Sequence, residues 1–361
     1  MKKKVVLRII ISVILFALIF LSLQRLLMPK YRTESKEGAM IKEYYQNAGD
    51  NDVVFITDCE VYENFSPVQL WNSYGIPSVI RGSAQQMIWQ SYYLLEETFR
   101  YESPSVVVFN VLTMIYDSPE SVGDKSKMEA YNRMTLDGMR WSKSKVNSIK
   151  ASMTDEEREK GGIWSYIFPI LRYHDRWNDL KEEDFSCFFK EEPVTDNGYL
   201  MQVKINPVKD EYPRIPLVSY QFGDICYEYL EKIRLLCEEH NCRLVLVKAP
   251  SLSPIWYDEY EKQILDYANE HDLLYINCLE HLDEIGIDWN QDTYDQGLHL
   301  NVYGAEKLTV YFGQILQKEC HLQDRRNDPS LSAKWEEKTR LYNLRKAEME
   351  KERDQEPDIQ S

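Results

Sequence analysis

The feature that most constrains this chain is an apolar run near its N-terminus. Residues 5–23 are 19 positions whose only charge is Arg8, and three consecutive lysines precede them. A bilayer core needs about 20 apolar residues at about 1.5 Å each, so the run is long enough for one membrane span. No small-residue cleavage site follows, which favours an uncleaved anchor over a removed signal peptide. The basic flank predicts a cytoplasmic N-terminus, with everything after about residue 30 outside the membrane.

The charge balance excludes one large class of partner. The chain has 43 basic and 59 acidic residues, a net charge of −16. A surface this acidic is poorly suited to binding nucleic acid through phosphate contacts. A hydrophobic content of 43% is typical of a globular domain rather than a disordered one.

The cysteines do not form a metal-binding pattern. There are seven, an odd number, and no CxxC pair is present. Cys237 and Cys242 lie five residues apart, which is not a zinc-ligand spacing. An exported location would permit disulfides, but at least one thiol must remain without a partner in the chain. We expect no metal site.

Apolar, β-branched runs alternate with helical patterns along the rest of the chain. The predicted buried strands are 52–57, 105–110, 243–248 and 273–277, and the predicted helices are 84–100, 220–239, 256–270 and 303–318. This alternation predicts an α/β fold with a mainly parallel sheet covered by helices on both faces. Such folds place their chemistry at the carboxyl ends of the strands.

Composition shifts divide the chain into four parts. They are a membrane anchor at 1–28, a stalk and first helix at 29–50, an α/β domain at 51–322, and a charged tail at 323–361. The tail has few apolar anchors, so we expect a solvated helix or disorder. A helical insertion at 118–215 is expected to pack over the strand ends and to set substrate specificity. Its aromatic residues favour an insertion core over a sugar platform: Trp164, Tyr166, Phe168, Tyr173 and Trp177.

Two segments carry residues suited to chemistry, at 56–67 and 292–304. The first places Cys59 directly after a strand, where the amides of a following helix would stabilise a thiolate. The second places His299 and two carboxylates in a loop before a helix. A nucleophile, a base and an orienting carboxylate are the parts of an acyl-transfer site.

These segments resemble a known superfamily. The strand followed by Thr57-Asp58-Cys59, then Gly82, Asn110 and a terminal Asp–His loop, is similar to the blocks of SGNH/GDSL hydrolases. The similarity is strongest to membrane-anchored bacterial members that act on cell-surface polymers, and it covers roughly 50–320 apart from the insertion. It implies a flavodoxin-like three-layer α/β/α fold. It also implies ester hydrolysis or acyl transfer without a metal or organic cofactor.

The resemblance assigns roles to individual residues. Cys59 stands where the family has its nucleophilic serine, and His299 matches the base. Gly82 and Asn110 match the oxyanion-binding glycine and asparagine. Each also has a purely structural interpretation: an inert buried thiol at Cys59, turn residues at Gly82 and Asn110, and a residue that caps or links a loop at His299.

The chain departs from the family pattern at several positions. Cysteine replaces serine, and Thr57 replaces the motif glycine. Val108 stands where a glycine before the asparagine is expected. The orienting aspartate normally lies three residues before the histidine, where this chain has glutamine. Asp295 lies four residues before His299 and Asp292 lies seven before it, so both remain candidates.

Two functions from different classes follow. The first is an extracytoplasmic acyl-ester hydrolase or acyltransferase that acts on a cell-envelope glycan or polymer through a Cys-His-Asp site. The second is a catalytically degenerate, membrane-tethered module that binds glycans or serves as a scaffold. A thiol redox protein is disfavoured, because no second cysteine neighbours Cys59 in the sequence. Lys248, at a strand end, is expected to be solvated or paired.

Overall fold

A five-stranded parallel sheet lies at the centre of the protein. The computed structural model describes residues 2–33, 35–118, 127–190 and 192–355. Within these residues the strands are β1 Val53–Thr57, β2 Ser78–Gly82, β3 Val106–Asn110, β4 Arg243–Lys248 and β5 Leu274–Asn277. Their order is β2-β1-β3-β4-β5 and every pairing is parallel. This is the flavodoxin-like order, and it confirms the predicted fold class.

Helices cover both faces of this sheet. The described α-helices are α1 Lys2–Leu27, α2 Met40–Asn47, α3 Cys59–Tyr62, α4 Pro67–Tyr74, α5 Ile88–Thr98, α6 Met128–Leu136, α7 Lys143–Ser152, α8 Asp155–Glu159, α9 Ile163–Ile167, α10 Ile170–Tyr173, α11 Glu182–Ser186, α12 Asp224–Glu239, α13 Asp258–Glu270, α14 Leu282–Ile285, α15 Val302–Glu319 and α16 Pro329–Gln355. The four predicted helices correspond to α5, α12, α13 and α15.

Successive strand residues point to opposite faces and so build two hydrophobic cores. On β1, Val54 and Ile56 belong to the core beneath α5, α12 and α13. Val53 and Phe55 belong to the core beneath α4, α15 and α16. The result is a three-layer α/β/α arrangement.

Strand β2 was not among the predicted strands, because Arg81 interrupts its apolar pattern. The Arg81 side chain is fully buried and forms an ion pair with Glu97. Its guanidinium also lies over the Tyr44 ring, 4.1 Å from the ring centroid. A buried cation with these partners lets an arginine occupy a strand position that faces the core.

The charged tail is ordered as helix α16, and one side of it is buried. Leu331, Trp335 and Tyr342 lie on that side. Trp335 stacks on Trp71 of α4, with ring centroids 5.3 Å apart. Residues 329–355 therefore form a helix, as one of the two expectations for the tail had it, but one side of this helix packs against the body instead of being solvated. Residues 356–361 lie outside the described residues.

The insertion has two parts. Among its short helices α6 to α11, α7 packs against α5. The later extended stretch does reach the carboxyl edge of the sheet, where the Asn206 N–H donates to the Thr293 carbonyl at 3.0 Å. Tyr166 and Tyr173 are buried as expected of an insertion core, but Trp164 and Trp177 are exposed. Positions 119–126 and 191 of the insertion lie outside the described residues.

Among the described residues, α1 is the one helix long and apolar enough to cross a membrane. None of its apolar window is buried against the body. Its last turn is tied to the insertion, because Arg25 donates to the Cys187 carbonyl at 2.6 Å and Arg176 donates to the Leu27 carbonyl at 2.6 Å.

Candidate active site

Cys59 lies at a sharp transition from strand to helix. Strand β1 ends at Thr57, and Asp58 caps helix α3 by accepting a hydrogen bond from the Glu60 N–H at 3.3 Å. Cys59 is therefore the first residue of α3, where helix N–H groups point towards its side chain. Its side chain is only partly exposed.

The backbone geometry next to this turn bears on the residue types at two positions, Thr57 and Gly82. Thr57, which stands where the family has glycine, has φ 153°, a value that favours glycine. Gly82 lies opposite Thr57 in the β1–β2 register. A Cβ at Gly82 would lie 2.5 Å from the Thr57 carbonyl oxygen, so only glycine fits at this close approach. The close approach of β1 and β2 therefore requires glycine at position 82, whereas position 57 has the glycine-like backbone but carries a threonine.

His299 is held by Asp295 in the loop that precedes α15. The Asp295 carboxylate accepts from the His299 backbone N–H at 2.8 Å, and its second oxygen lies 2.7 Å from His299 Nδ1. One carboxylate therefore fixes both the backbone and the ring. The loop has positive φ at Gln296 (67°) and at Gly297 (95°). This left-handed turn accommodates the extra residue between aspartate and histidine relative to the family spacing.

The structure brings Cys59 and His299 together. Each side chain acts on the other, since His299 lowers the pKa of the Cys59 thiol and Cys59 raises the pKa of the imidazole, although about 240 residues separate them in the chain. Asp295 lies at Nδ1 of the same imidazole. The three residues thus form a continuous series of thiol, imidazole and carboxylate at the carboxyl edge of the sheet.

A second carboxylate, which the sequence analysis missed, also contacts the imidazole. Glu63 Oε2 lies 3.1 Å from His299 Nδ1 and accepts a hydrogen bond from the Tyr294 hydroxyl at 2.6 Å. Glu63 stands four residues after Cys59, one helical turn along. That spacing is a signal that could have identified it, because residues four apart share a helix face.

Burial and charge act in opposite senses on the thiol and the imidazole. Burial raises the pKa of the Cys59 thiol to about 11, although His299 partly opposes this. Burial alone would lower the pKa of His299, but Cys59, Glu63 and Asp295 together raise it well above its usual value. Burial raises the pKa of Glu63 to about 7. The thiol is therefore protonated at neutral pH, next to an imidazole whose basicity is enhanced.

Asp292 does not contact His299. It is buried, and its carboxylate accepts from Lys307 Nζ at 2.7 Å and from the Asp288 N–H at 2.7 Å. Of the two aspartates left open by the sequence, the structure places Asp295 against the imidazole and gives Asp292 a role in holding the loop onto α15.

Asn110 also differs from the expectation drawn from the family. Its side-chain amide donates to Glu60 Oε2 at 2.9 Å and to Asp58 Oδ1 at 3.4 Å. Its side-chain oxygen accepts from the Ala249 N–H at 3.1 Å. Both ends of the Asn110 amide are engaged within the protein, so an oxyanion role would require at least one of these hydrogen bonds to be given up.

Lys248 belongs to a closed ionic network under the site. Its Nζ lies 2.9 Å and 3.0 Å from the two carboxylate oxygens of Glu60 and 2.9 Å from Ser251 Oγ. The Lys248 side chain is fully buried, so the lysine is paired and not solvated. Burial, together with the charge of Glu60, raises the pKa of Asp58 to about 7.

Glu63, Asp295 and His299 also offer three potential metal-ligand atoms within 4.8 Å of one another. As ligands they would have to give up the hydrogen bonds at His299 Nδ1, and the ligand atoms would have to move apart, since 2.7 Å is a hydrogen-bond distance. The present geometry suits the holding of a proton better than the holding of a metal ion.

A shallow pocket of about 590 Å³ adjoins the His299 loop. Val208 and Leu252 line it, and both would contact a Cβ built on Gly297. A larger cavity of about 700 Å³ lies elsewhere, between the end of α1, helix α2 and the insertion. The extended part of the insertion therefore contributes to the surface next to the histidine loop.

Comparisons with known proteins found similarity to solved structures only. No family model matches the chain, and no curated protein matches its sequence. The crystal structure of a candidate acylhydrolase from Bacteroides fragilis is similar, with a TM-score of 0.39, 12% identity, and coverage of 78% of this chain and 98% of that chain. A GDSL-like lipase from Bacteroides thetaiotaomicron has a TM-score of 0.38, 12% identity, and coverage of 78% and 99%. At these values the similarity concerns the fold alone.

Proposed function

We propose that this protein is an SGNH-type acyl-ester hydrolase or acyltransferase that uses Cys59 as its nucleophile. The observation that carries the proposal is the convergence of Cys59, His299 and Asp295 at the carboxyl edge of the sheet, where the imidazole acts on the thiol and Asp295 lies 2.7 Å from His299 Nδ1. A thiol, a base and an orienting carboxylate in this order are the parts that nucleophilic acyl transfer needs. The thiol and the imidazole are both partly exposed, so a substrate has access.

Cys59 and His299 are sufficient for a balanced acyl-transfer reaction. With the imidazole in its neutral form, the Cys59 proton passes to His299 as the sulfur attacks the ester carbonyl carbon. When the tetrahedral intermediate breaks down, the alcohol leaves with the proton from His299 and a thioester remains on Cys59. Water or an acceptor hydroxyl then attacks the thioester, gives its proton to His299, and releases the acyl group; the thiolate recovers that proton.

Asp295 and Glu63 have a defined part in this cycle. Both carboxylates face Nδ1, so they hold the imidazole with its other nitrogen available and stabilise the imidazolium that forms. The oxyanion would be bound by the backbone N–H groups of Cys59 and Gly82. Gly82 supports this role because it brings β2 close to Thr57 without a side chain in the way.

Helix α1 supports a membrane-anchored location, with the body outside the membrane as the basic N-terminal flank indicates. An enzyme tethered there would meet acylated cell-envelope glycans or polymers. The substrate class rests on this location and on the family resemblance.

Two observations favour the non-catalytic alternative. Burial raises the pKa of the Cys59 thiol to about 11, which leaves little thiolate at neutral pH, and the Asn110 amide donates to Glu60 and Asp58 within the protein. In that case the same fold would serve as a tethered glycan-binding or scaffold module.

The deciding experiment is ester turnover by the full chain in a non-ionic detergent, with p-nitrophenyl acetate as the probe. We expect Cys59→Ala to reduce turnover at least about 100-fold. Cys320→Ala is the matched control, because Cys320 is the other partly exposed cysteine and it lies at the end of α15. A mass increase of one acetyl group on the Cys59 peptide at low pH would identify the thioester. Wild-type protein without turnover, or equal turnover after Cys59→Ala, would assign the fold to the alternative.

A further inference from the structure

A row of exposed apolar side chains lies on the insertion helices next to the end of α1. Trp164 on α9, Phe168 in the link between α9 and α10, and Leu171 on α10 have 59%, 37% and 56% of their surface exposed. The rings of Trp164 and Phe168 stack on each other, and Leu171 follows them on α10. Phe189, just after α11, is 92% exposed. Apolar exposure of this extent on one part of the surface indicates a contact with another apolar phase.

The depth of this row relative to the apolar run of α1 can be derived. Phe168 packs edge-on against Phe20 of α1, with centroids 6.0 Å apart, and Trp164 stacks on Phe168 at 6.1 Å. Phe20 lies three residues before the last apolar position, Leu23. At about 1.5 Å per residue, the contact lies about 4–5 Å inside the end of the apolar run. This is the level at which aromatic side chains gather at membrane–water interfaces.

The insertion is held to α1 at this level. Arg25 donates to the Cys187 carbonyl, and its guanidinium lies 4.9 Å from the centroid of the Phe188 ring. Arg176 reaches the Leu27 carbonyl from the other side. These contacts fix the orientation of α9, α10 and α11 relative to the helix axis of α1.

We propose that helices α9 to α11 form a membrane-contact face that rests in the interfacial layer of the same bilayer that α1 spans. Trp164, Phe168 and Leu171 enter the boundary between headgroups and acyl chains, and Phe189 extends the contact. Arg25 lies just outside the apolar run, at the level of the lipid phosphates, where a cation is favourable. The insertion thus holds the body in one orientation on the membrane. This inference depends on the membrane span in the proposed function and not on the chemistry of Cys59.

Site-specific photo-cross-linking of the full chain in phosphatidylcholine–phosphatidylglycerol vesicles tests the proposal. A benzophenone amino acid replaces Leu171 in one variant and Leu235 in a matched control, since Leu235 is a 49% exposed leucine on α12 of the body. A third variant carries the probe at Ile14, in the middle of the apolar run, and reports the span itself. We expect lipid adducts by mass spectrometry at positions 14 and 171 and at least tenfold fewer at 235.

The outcomes separate the contact face from the span. Adducts at 14 without adducts at 171 would overturn the contact face and leave the anchor intact. Equal adducts at 171 and 235 would overturn it as well, because the lipid contact would not be specific. The absence of adducts at 14 would remove both the span and the contact face. Ester turnover in detergent is measured independently of all three.

Discussion

Two ionic clusters flank the short helix α3, and they differ in closure and in charge balance. The inner cluster consists of Glu60, Asn110, Lys248 and Ser251. The outer cluster consists of Cys59, Glu63, Asp295 and His299. In the inner cluster one carboxylate meets one ammonium, and both side chains are at most 1% exposed. In the outer cluster two carboxylates face one imidazole, and the exposed fractions of His299 and Asp295 are 15% and 24%.

Groups within one helical turn of each other therefore have different roles. The inner cluster stabilises the fold, and the outer cluster is arranged for chemistry. Glu60 of α3 belongs to the inner cluster, whereas Cys59 of α3 and Glu63, which follows α3, belong to the outer cluster. The inner cluster satisfies its charges completely, which is the condition for a stable buried ion pair. In the outer cluster two carboxylates, an imidazole and a thiol can share protons within reach of solvent. This arrangement is suited to proton transfer. The predictions below test this division.

The largest effect is expected from removal of the inner cation. Lys248→Met leaves the Glu60 carboxylate buried without its partner, which should lower the free energy of unfolding by about 3–5 kcal/mol. Lys262→Met is the control, because Lys262 pairs with Asp266 on the surface of α13 and should cost less than about 1 kcal/mol. Urea unfolding of the full chain in detergent measures both. Adding Glu60→Gln to Lys248→Met should recover part of the loss, and similar small losses in both lysine variants would contradict a holding role.

Removal of the outer base should change reactivity more than stability. His299→Ala removes the group that opposes the burial-raised pKa of Cys59, so the thiol pKa rises further above about 11. Each unit of that rise lowers the thiolate fraction about tenfold, and we expect iodoacetamide labelling of Cys59 at pH 8 to slow by about tenfold or more. Labelling of Cys320 in the same sample provides the internal reference. Equal Cys59 rates in both proteins would show that the imidazole does not act on the thiol.

The two aspartates of the loop should separate activity from stability. Asp295→Asn removes the carboxylate at His299 Nδ1 and should lower ester turnover about tenfold or more with little change in unfolding. Asp292→Asn weakens the buried contact with Lys307 and should destabilise the fold while turnover per folded molecule stays unchanged. Turnover and urea midpoints measured on both variants test this pair. The reverse pattern would place Asp292 in the site.

The smallest effect concerns the pH dependence of stability at Glu63. Burial raises the pKa of Glu63 to about 7 in the folded protein, above its unfolded value of 4.5. The folded state therefore binds more protons in between, and the stability due to Glu63 is fully present below about pH 4.5 and is lost as the pH rises through 7. The difference in unfolding free energy between wild type and Glu63→Gln should fall by on the order of 1 kcal/mol from pH 5 to pH 8. A difference independent of pH would mean that Glu63 is not held in this environment.

The sequence predicted the sheet well because parallel strands that are covered on both faces are almost continuously apolar. The runs that begin at Val53 and Val106 show this directly. Strand β2 was not predicted because an arginine in a sequence indicates a surface position. Arg81 can be buried only because Glu97 and Tyr44 lie beside it. Composition alone cannot report such a buried cation, since its partners come from other elements.

The same reason limits what the sequence could say about the site. Cys59 follows strand β1, and His299 lies in the loop before helix α15. The topology of the sheet brings both residues to one edge. The choice between Asp292 and Asp295 depends on the left-handed turn at Gln296, which spacing does not reveal. The hydrogen bonds that hold the Asn110 amide within the protein depend on two carboxylates of the Asp58–Glu60 segment. Both are consequences of side-chain packing rather than of sequence order.

The long separation between Cys59 and His299 also has a consequence during synthesis. At about 5–20 residues per second, the roughly 240 intervening residues take about 10–50 s to translate. For that interval the nascent chain carries the thiol without the imidazole that later sits beside it, and without α15, which closes the core behind the loop. The thiol therefore acquires its partner only near the end of translation, and a ribosome-bound chain would label at Cys59 like an ordinary unfolded cysteine until the histidine loop has emerged.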